Sequence, residues 1–432
     1  MYFFNYSKGL GLYTHILQNT DSAFNFTVSL YPLTSGKPNI ILLHHTDVVP
    51  PGDTMEWDKP PFSAAVFNDY IYGRGTLDAK GLGVMQLMSV LKIRKTAGSG
   101  SLPYNVTLLC VSGEETGGKY GAKLVADKYL KFLKPLVILG EGGGGTNSVV
   151  PSNPALTVFG ISVAEKSNLW LELELKFKSY GHGAAPPKLY VNKSMLKALS
   201  RLNDIETGFE FSRTSRRMFR ELGRLEGGIK GFVIKHISWH VFRPFIRRYF
   251  RDEPMLTTLV SNTTVLTNFF NPPGPPNQIS EKATALLDCR LLPGTGRKKF
   301  IRDIRFGLFE PRFTVKVLDA GPVSEESSPN TDAYRILAAS VKTVFPGSET
   351  IPILFPASTD NNYFRSKGIP VYGLTPVFLT REDAQSIHGS NERISLKGFR
   401  NGILLYESFL NGMMRNPNQK LPPVLSGEDD QD

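Results

Sequence analysis

The sequence predicts an α/β fold with a mostly parallel sheet, interrupted by a smaller two-layer α+β domain. Up to about residue 165, short apolar runs alternate with segments of helical spacing, which is typical of strands and crossover helices. From residue 169 apolar and polar residues alternate strictly, and the first pattern resumes after about residue 325. The 432 residues exceed what one core usually supports, so two domains are expected. The predicted domains are 1–166 together with 322–432, and an inserted 167–321.

Buried strands are predicted where short apolar runs lack a polar face, as strands of a parallel sheet do. These runs are NIILLH at 39–44, YNVTLLCV at 104–111 and LVILG at 136–140. Residues with helical spacing occupy 80–95 and 118–133, and the last predicted helix is 395–412. The tail after about residue 416 contains several prolines and an acidic end, so we expect it to be disordered.

The inserted domain begins with a strand whose leucines at 169–175 alternate with polar residues, which predicts one solvated face. The pattern that follows predicts a βαββαβ order, with a helix near 192–203, strands near 257–266 and 282–290, a helix near 297–308 and a strand near 313–319. A basic insertion at about 205–255 separates the first helix from the second strand.

Composition places the chain among ordinary globular proteins, with 41% hydrophobic and 21% charged residues. No apolar run approaches the length of a membrane-spanning helix, and the N-terminus lacks the pattern of a signal peptide. A cytoplasmic location is the default expectation, and the compartment stays open because an N-terminal extension would change it.

Cys110 and Cys289 lie in apolar, strand-like runs, which favours buried free thiols over a disulfide.

The net charge of +11 is concentrated in one segment, since residues 213–253 hold eleven Lys/Arg against four Asp/Glu. A solvated basic face, attraction to acidic substrates and contact with an anionic membrane are all consistent with this charge. Nucleic acid is not an expected partner, because no binding motif accompanies the charge. At 239–251, aromatic residues interleave with arginines, which suits peripheral membrane contact or packing against the chain's own core or a partner. Packing is the favoured interpretation.

Acidic and histidine side chains follow successive predicted strands. His45 and Asp47 come after NIILLH, Glu114 and Glu115 after YNVTLLCV, and Glu141 after LVILG. Asp78 follows a further short strand-like run. Because the loops at the carboxyl ends of the strands of an open α/β sheet converge on one crevice, we expect these groups to meet there.

Carboxylates packed this closely repel one another unless a cation holds them. A mixture of histidine and carboxylate ligands suits zinc, with cobalt or manganese as alternatives. The adjacent pair Glu114 and Glu115 can divide the work, one binding metal while the other accepts a proton from water. Asp47, two residues after His45, can orient that imidazole.

Six motifs together give the chain a specific resemblance. HHTDVVP, EWDKPPFSAAVFNDYIYGRGTLDAKG, VSGEETGGKYGA, SYGHGAAPP, DCRLLPG and HGSNERIS occur in this order between about residues 30 and 412. The chain resembles the zinc metallopeptidase family of aminoacylase, acetylornithine deacetylase, succinyl-diaminopimelate desuccinylase and carboxypeptidase S. Within it, the chain is most similar to the Gly-Xaa carboxypeptidase branch and its N-fatty-acyl amino acid relatives.

The resemblance implies a zinc-peptidase-like catalytic domain with an inserted lid or dimerisation domain, and two zinc ions per chain. It implies the following metal ligands: His45, bridging Asp78, Glu115, Glu141 and His388. It assigns Glu114 as the general base for attack by a metal-bound hydroxide, Asp47 as support for His45, and His182 as an oxyanion-stabilising residue, often acting across a dimer. It also implies a cis bond between Asp78 and Ala79.

The expected reaction is hydrolysis of an amide bond in a small peptide or an N-acyl amino acid. A carboxypeptidase is favoured, an N-fatty-acyl amino acid hydrolase is the alternative, and an inactive binding protein is a remote third reading. A homodimer through the lid domain is a further expectation. The G-x-G-x-x-G match at 140–145 does not open a helix, and no G-x-S-x-G is present, so dinucleotide and serine-hydrolase readings are disfavoured.

Two positions depart from the family pattern. Asn362, in STDNNYF, stands where many relatives carry an arginine suited to a substrate carboxylate, and asparagine cannot form the same two parallel bonds. Arg290 or Arg365 could take that role, and Arg290 and Asn362 are the tentative substrate-binding residues. Gly140 stands where relatives often have aspartate next to Glu141.

Overall fold

The computed structural model describes residues 1–17, 23–98, 100–178, 183–204, 208–242, 250 and 254–426. The strands in chain order are β1 Tyr13–Ile16, β2 Phe26–Ser29, β3 Asn39–His45, β4 Ala65–Phe67, β5 Tyr70–Tyr72, β6 Asn105–Val111, β7 Pro135–Gly140, β8 Gly144–Thr146, β9 Val158–Glu165, β10 Ser167–Lys176, β11 Thr263–Phe270, β12 Lys282–Leu291, β13 Phe313–Ala320, β14 Glu349–Phe355, β15 Val371–Gly373 and β16 Arg393–Ser395.

The helices in chain order are α1 Tyr2–Gly9, α2 Lys80–Ala97, α3 Ala122–Lys128, α4 Leu130–Leu133, α5 Val191–Asp204, α6 Arg213–Glu226, α7 Gly228–Lys235, α8 Pro254–Thr258, α9 Arg297–Leu308, α10 Asp332–Val344, α11 Asn361–Arg365, α12 Arg381–Ser386, α13 Leu396–Met414 and α14 Pro423–Ser426. Among these described helices, none is both long and apolar enough to cross a bilayer.

Within the described part of the chain, the larger sheet contains nine strands in the order β1-β2-β6-β3-β7-β15-β9-β14, with β8 beside β9. The central strands β6, β3, β7 and β15 run parallel. Every residue of β3 and β6 is buried because helices cover both faces. Ile40 and Leu42 pack toward α2, α10 and α13, whereas Ile41 and Leu43 pack toward α3, α4 and α11. The predicted mostly parallel α/β sheet is confirmed.

The smaller sheet is antiparallel, with the order β11-β12-β10-β13. Leu169, Leu171, Leu173 and Leu175 are all buried on the face that α5 and α9 cover, as the alternation predicts. The observed order of elements around this sheet is the βαββαβ that the pattern indicates. The exact division at residues 167 and 321 stays a prediction, consistent with β10 beginning at Ser167 and β13 ending at Ala320.

Three expectations about local structure are wrong. The strand expected at 257–266 begins only at Thr263, and a short helix occupies Pro254–Thr258. Residues 118–133 contain two short helices separated at Tyr129. The tail after about residue 416 is expected to be disordered, but residues 417–426 contact the body of the protein, where the Tyr104 hydroxyl, just before β6, accepts a hydrogen bond from the Gln419 backbone N–H at 3.0 Å. The rest of the tail lies outside the described residues.

The basic insertion packs on the larger sheet, although it lies within the chain segment assigned to the smaller domain. Met218 and Phe219 of α6 share a buried cluster with Val158 of β9 and Ile351 of β14. Phe250 belongs to the same cluster and packs internally, whereas Trp239 is 51% exposed, so the choice between packing and membrane contact stays open for this segment. The rest of the 243–251 segment lies outside the described residues.

Helices α6 and α7 approach each other at a pair of glycines. A Cβ added to Gly231 would lie 2.4 Å from the carbonyl oxygen of Gly223, which no side chain tolerates without movement of the helices.

We expect Gly231→Ala to lower the free energy of unfolding by about 1–3 kcal/mol through overpacking. A decrease in the free energy of unfolding would indicate a steric clash, since alanine at an unhindered helical position is more favourable than glycine by about 1 kcal/mol. Chemical denaturation measures the change. Gly9→Ala in helix α1, where an added Cβ meets nothing within 4 Å, is the matched control. A Gly231→Ala protein as stable as the parent would contradict this close helix contact.

Candidate metal centre

The predicted acidic and histidine residues meet at the carboxyl ends of the central parallel strands. His45 is the last residue of β3, and Glu141 directly follows β7. Glu114 and Glu115 form one turn of 3-10 helix, three residues after β6 ends. Asp78 lies just before α2, and the Asp78–Ala79 peptide bond is cis, as expected. The sheet topology therefore brings together side chains that are separated by up to about a hundred residues.

His388 arrives from a distant segment between α12 and β16 and completes the cluster. Asp78 lies between the two histidines, with Oδ1 2.8 Å from His45 Nε2 and Oδ2 2.9 Å from His388 Nε2. Glu141 Oε2 is 3.3 Å from His45 Nε2, and Glu115 Oε2 is 3.4 Å from His388 Nε2. The arrangement has two halves that share Asp78.

Among the described residues, two sets of three ligand atoms are close enough to hold a metal ion. Atoms of His45, Glu114 and Glu141 lie within 4.8 Å of one another, and so do atoms of His45, Asp78 and Glu115. Glu114 is therefore within reach of the cluster itself, where a proton acceptor or a further ligand would be placed.

His44 and His45 are neighbours in β3, and strand alternation separates their roles. His44 Nδ1 lies 2.8 Å from Gln86 Oε1 beneath α2, and burial lowers the pKa of His44 to about 4. His44 is therefore a neutral residue of the packed interior, and only His45 reaches the crevice.

Asp47 organises the loop that carries the two glutamates. Its Oδ1 accepts a hydrogen bond from the Gly113 N–H at 2.8 Å, and its Oδ2 accepts one from the Glu115 N–H at 3.2 Å. His45 Nδ1 lies 3.0 Å from the Asp47 backbone carbonyl and 3.7 Å from its carboxylate. Asp47 thus contacts both the His45 ring and the glutamate turn, and the carbonyl makes the shorter contact with the ring.

The crowding of acids shifts the proton affinities of the cluster. Burial raises the pKa of Glu114, and the carboxylates of Glu141 and Asp360 raise it further, to well above its ordinary value. Burial also raises the pKa of Glu141. Burial acts to raise the pKa of Asp78 too, but hydrogen bonds from His388 and His45 outweigh it and lower that pKa.

The histidines respond in the opposite direction. Burial acts to lower the pKa of His45, but the negative charge of Glu141 and hydrogen bonds that the ring donates to its acidic neighbours raise it well above the ordinary value. The hydrogen bond with Asp78 raises the pKa of His388. The net rise in the pKa of both histidines thus comes from their acidic neighbours.

The donor set fits divalent metal ions. Among the described residues, the carboxylates of Asp47, Asp78, Glu115 and Glu141 form ion pairs with histidines and with no lysine or arginine. The buried Oε1 atom of Glu115 has no hydrogen-bond partner in the structure. An uncompensated group of acids with imidazole nitrogens beside it is the donor chemistry that zinc, cobalt and manganese accept.

Two of the predicted substrate-binding residues are engaged elsewhere. Asn362 is buried; its Oδ1 accepts hydrogen bonds from Ser324 Oγ and Arg365, and its Nδ2 donates to the Lys166 carbonyl. Arg290 on β12 is about one-third exposed and pairs with Asp288 at 3.0 Å. The structure brings neither residue into the metal cluster. His182 lies outside the described residues.

Glu392, a residue of the HGSNERIS motif without a predicted role, supports the loop that carries Asp78. Its buried carboxylate accepts hydrogen bonds from the backbone N–H groups of Gly75, Leu77 and Asp78 at 2.8–3.1 Å, and pairs with Arg74 at 2.6 Å. The sequence shows Glu392 only as a charged residue inside this motif. Its hydrogen-bond partners lie more than three hundred positions earlier in the chain, so no local pattern could reveal its role.

Asp360 and Asn361 are the other residues that pattern reasoning missed. The Asn361 amide donates hydrogen bonds to the Glu141 carbonyl at 2.7 Å and to Glu165 at 3.1 Å. A Cβ at Gly140 would lie 2.0 Å from Asn361 Oδ1, so a larger residue at this position would displace the Asn361 amide. Burial raises the pKa of Asp360 well above its ordinary value.

A family model for peptidase family M20/M25/M40 matches residues 41–412, most of the chain. The chain belongs to this family. The resemblance to zinc metallopeptidases is thereby confirmed, and the chain is a metallopeptidase or amidohydrolase of the M20 type.

Two of the similar proteins have names that describe different kinds of enzyme. The human N-fatty-acyl-amino acid synthase/hydrolase PM20D1 is 28% identical over 406 residues, which cover 91% of this chain and 78% of the human protein. The probable carboxypeptidase S-like 2 of Dictyostelium discoideum is 26% identical over 378 residues, covering 85% of this chain and 70% of that protein.

Solved structures support the fold. The M20 family metallo-carboxypeptidase Sso-CP2 of Sulfolobus solfataricus superposes with a TM-score of 0.71 at 21% identity, covering 96% of this chain and 93% of that chain. The Bacillus subtilis YXEP protein, a dinuclear metal binding peptidase from the M20 family, has a TM-score of 0.55 at 12% identity and covers 95% of this chain and 89% of its own.

We expect Glu392→Gln to destabilise the protein by about 3 kcal/mol or more, because it leaves the buried Arg74 charge uncompensated. The loosened Asp78 loop should also retain less metal after dialysis. Thermal unfolding and elemental analysis measure the two effects. Glu382→Gln is the control, since its exposed pair with Arg393 contributes little. Unchanged stability and metal content in Glu392→Gln would contradict the supporting role of Glu392.

Proposed function

We propose that the protein is a dinuclear zinc hydrolase that cleaves the amide bond between an acyl group and an amino acid. The observation that carries this proposal is the double cluster around Asp78, in which each half offers an imidazole and carboxylates. His45 and Glu141 would hold one ion, Glu115 and His388 the other, and Asp78 would bridge them. Cobalt and manganese are alternatives for the same donor set.

Two bound zinc ions would lower the pKa of the attacking water and polarise the scissile carbonyl. Glu114 is the proposed general base, because its carboxylate lies among the ligand atoms of the cluster, within 4.8 Å of those of His45 and Glu141. From that position the carboxylate would accept the proton of water and then deliver it to the leaving amine.

Asp47 and Glu392 would support the reaction by holding in place the loops that carry Glu114 and Asp78. Asp47 holds the glutamate turn through the backbone N–H groups of Gly113 and Glu115, so the Glu114 carboxylate is directed at a constant place. Glu392 holds the backbone before Asp78 in the same manner. Groups that are held in place before the reaction need not be reorganised during it.

Two substrate classes share the proposed bond. A carboxypeptidase cleaves it with a peptide on the acyl side, and this remains the first expectation, which the carboxypeptidase S-like relatives support. An N-fatty-acyl amino acid hydrolase cleaves it with a lipid chain there, and the names of several relatives favour this second candidate.

The inserted domain has a proposed part in the reaction. His182 would stabilise the oxyanion, as the family resemblance implies. A homodimer through this domain is part of the proposal, and it is supported by edge strand β11, where Val265 and Leu266 are about half exposed. Light scattering of the purified protein measures the dimer directly.

The decisive comparison is hydrolysis of a substrate panel by the zinc-loaded protein. The panel contains dipeptides with free and with amidated C-termini, acetyl amino acids and oleoyl amino acids. Cleavage only of free-carboxylate peptides establishes a carboxypeptidase, whereas turnover only of acyl amino acids establishes the deacylase. A metal-loaded protein that cleaves nothing would leave a binding protein and overturn the hydrolase proposal.

We expect Glu114→Gln to reduce kcat by about 10²–10⁴-fold, because the amide cannot accept the proton. Elemental analysis should still find the full metal content. If the variant loses metal together with activity, Glu114 is a ligand and its role as base is wrong.

Metal removal tests the two halves separately. We expect the parent protein to bind two zinc ions, and a chelator to abolish hydrolysis until zinc is restored. His388→Ala should retain about one ion, since His45, Glu141 and Asp78 remain in place. The exposed His240→Ala is the matched control and should keep both ions. One ion in the parent protein would contradict the dinuclear site.

A further inference from the structure

A surface that the hydrolytic reaction does not use lies on the helical hairpin of α6, α7 and the turn that ends at Phe242. We call residues 213–242 the basic hairpin. It carries large apolar side chains that point into solvent, namely Ile229, Phe232, Trp239 and Val241, which are 85%, 51%, 51% and 65% exposed. Exposed apolar groups clustered in this way mark a binding surface more often than an ordinary protein exterior.

The aromatic members of this surface form one contiguous group. Phe232 and Trp239 contact each other edge to face with ring centroids 6.2 Å apart, and His236 packs between them at 4.3 Å from each. Trp239 also stacks on Phe242 at 6.3 Å. The side chains therefore form an aromatic cluster with its outer side open to solvent.

Arginines occupy one exposed face of the adjoining helix α6. Arg213, Arg216, Arg220 and Arg224 recur at three- and four-residue spacing and are all exposed. Among the described residues, Arg216 and Arg220 have no carboxylate partner, whereas Arg224 pairs with Glu221 at 2.9 Å. The hairpin as a whole holds seven Lys/Arg and two Glu, so it contributes +5 to the net charge of +11.

The exposed face is displayed on a well-anchored support. The opposite face of the hairpin buries Met218, Phe219 and Ile237 against Val158 and Ile351 of the large sheet. Glu226 adds a further anchor by accepting a hydrogen bond from the Ser152 N–H at 2.9 Å. Since these contacts already hold the hairpin in place, the outward aromatic and basic side chains are not required for its packing.

The positive charge of the basic hairpin favours an anionic lipid bilayer over a second copy of the chain as its binding partner. A second copy of the chain docked face to face would bring +5 against +5, which opposes association. An anionic bilayer supplies the complementary charge, together with an interfacial region in which tryptophan and phenylalanine are stable. Exposed aromatics beside unpaired arginines are the features of segments that lie on membrane surfaces.

We propose that the basic hairpin docks the protein on the surface of an anionic lipid bilayer. Ile229, Phe232, Trp239 and Val241 enter the headgroup region, and the arginines of α6 contact the lipid phosphates and carboxylates. The contact is peripheral, and it is independent of whether the crevice hydrolyses peptides or acyl amino acids.

The test is co-sedimentation of the full chain with phosphatidylcholine vesicles, prepared with and without phosphatidylserine, at low and at high salt. We expect binding only to vesicles that contain phosphatidylserine, and weaker binding at high salt. The emission of the half-exposed Trp239 should shift to shorter wavelength on binding, and Trp239→Phe should remove most of that shift.

Matched variants separate the hairpin from the overall charge. Arg216→Glu with Arg220→Glu should weaken binding by at least about ten-fold, since each basic residue near the surface contributes about five-fold. Lys95→Glu with Lys131→Glu makes the same change of net charge at exposed positions of α2 and α4 and should have a much smaller effect. Phe232→Ser with Trp239→Ser should also abolish most of the binding.

Three outcomes would overturn the proposal. They are the absence of binding to phosphatidylserine vesicles at low salt, an equal loss of binding in the Lys95/Lys131 control, and undiminished binding by the Phe232/Trp239 variant. If that variant instead dissolves a dimer while the parent ignores vesicles, the surface belongs to a second copy. Unchanged thermal unfolding and hydrolysis of a small soluble substrate show that each variant is folded.

Discussion

The central constraint on this molecule is the gathering of four carboxylates and two imidazoles in one small volume without a lysine or arginine among the described residues to neutralise them. Such a group is unfavourable alone, because like charges at short distances raise one another's pKa values and repel. Asp78 reduces the conflict by lying between His45 and His388, but the same two imidazoles are also the partners of Glu141 and Glu115, so the acids outnumber the imidazoles. The position of the cluster, at the carboxyl ends of parallel strands, follows from the need for several loops to reach one place.

The surrounding structure holds this unfavourable arrangement together with backbone hydrogen bonds. The carboxylates of Asp47 and Glu392 each accept several N–H groups from the loops that carry the cluster. Both are acids that serve as structural acceptors, and the buried Arg74 neutralises Glu392. The carboxylate oxygens of the other cluster residues can therefore point at a common centre, because they are not needed as hydrogen-bond acceptors for these loops.

The junction between the two sheets uses a second buried polar network. Glu165, the last residue of β9, accepts hydrogen bonds from Thr359 and Asn361 and pairs with Arg365 at 3.4 Å. The next residue, Lys166, is buried against the Ser261 carbonyl at 2.9 Å, and burial lowers its pKa to about 8. Because Asn361 also binds the Glu141 carbonyl, this network links the start of the smaller sheet to one half of the metal cluster.

The sequence by itself predicted the fold class, since buried strands and alternating strands have distinct periods. It also predicted that His45 and the acids of the cluster meet, since they directly follow the strands, whereas His388 was assigned only through the family resemblance. It could not assign Glu392, Asp360 or Asn361, because their partners lie far away in the chain and no local pattern records such contacts. It placed Asn362 among the substrate-binding candidates, and only the packing showed that this amide is buried and used by Ser324 and Lys166. Tertiary structure likewise decided that the basic insertion rests on the large sheet, because helix burial is set by the matching surface of Val158 and Ile351. Local periodicity specifies which face of an element is apolar, and only the assembled fold decides what that face covers.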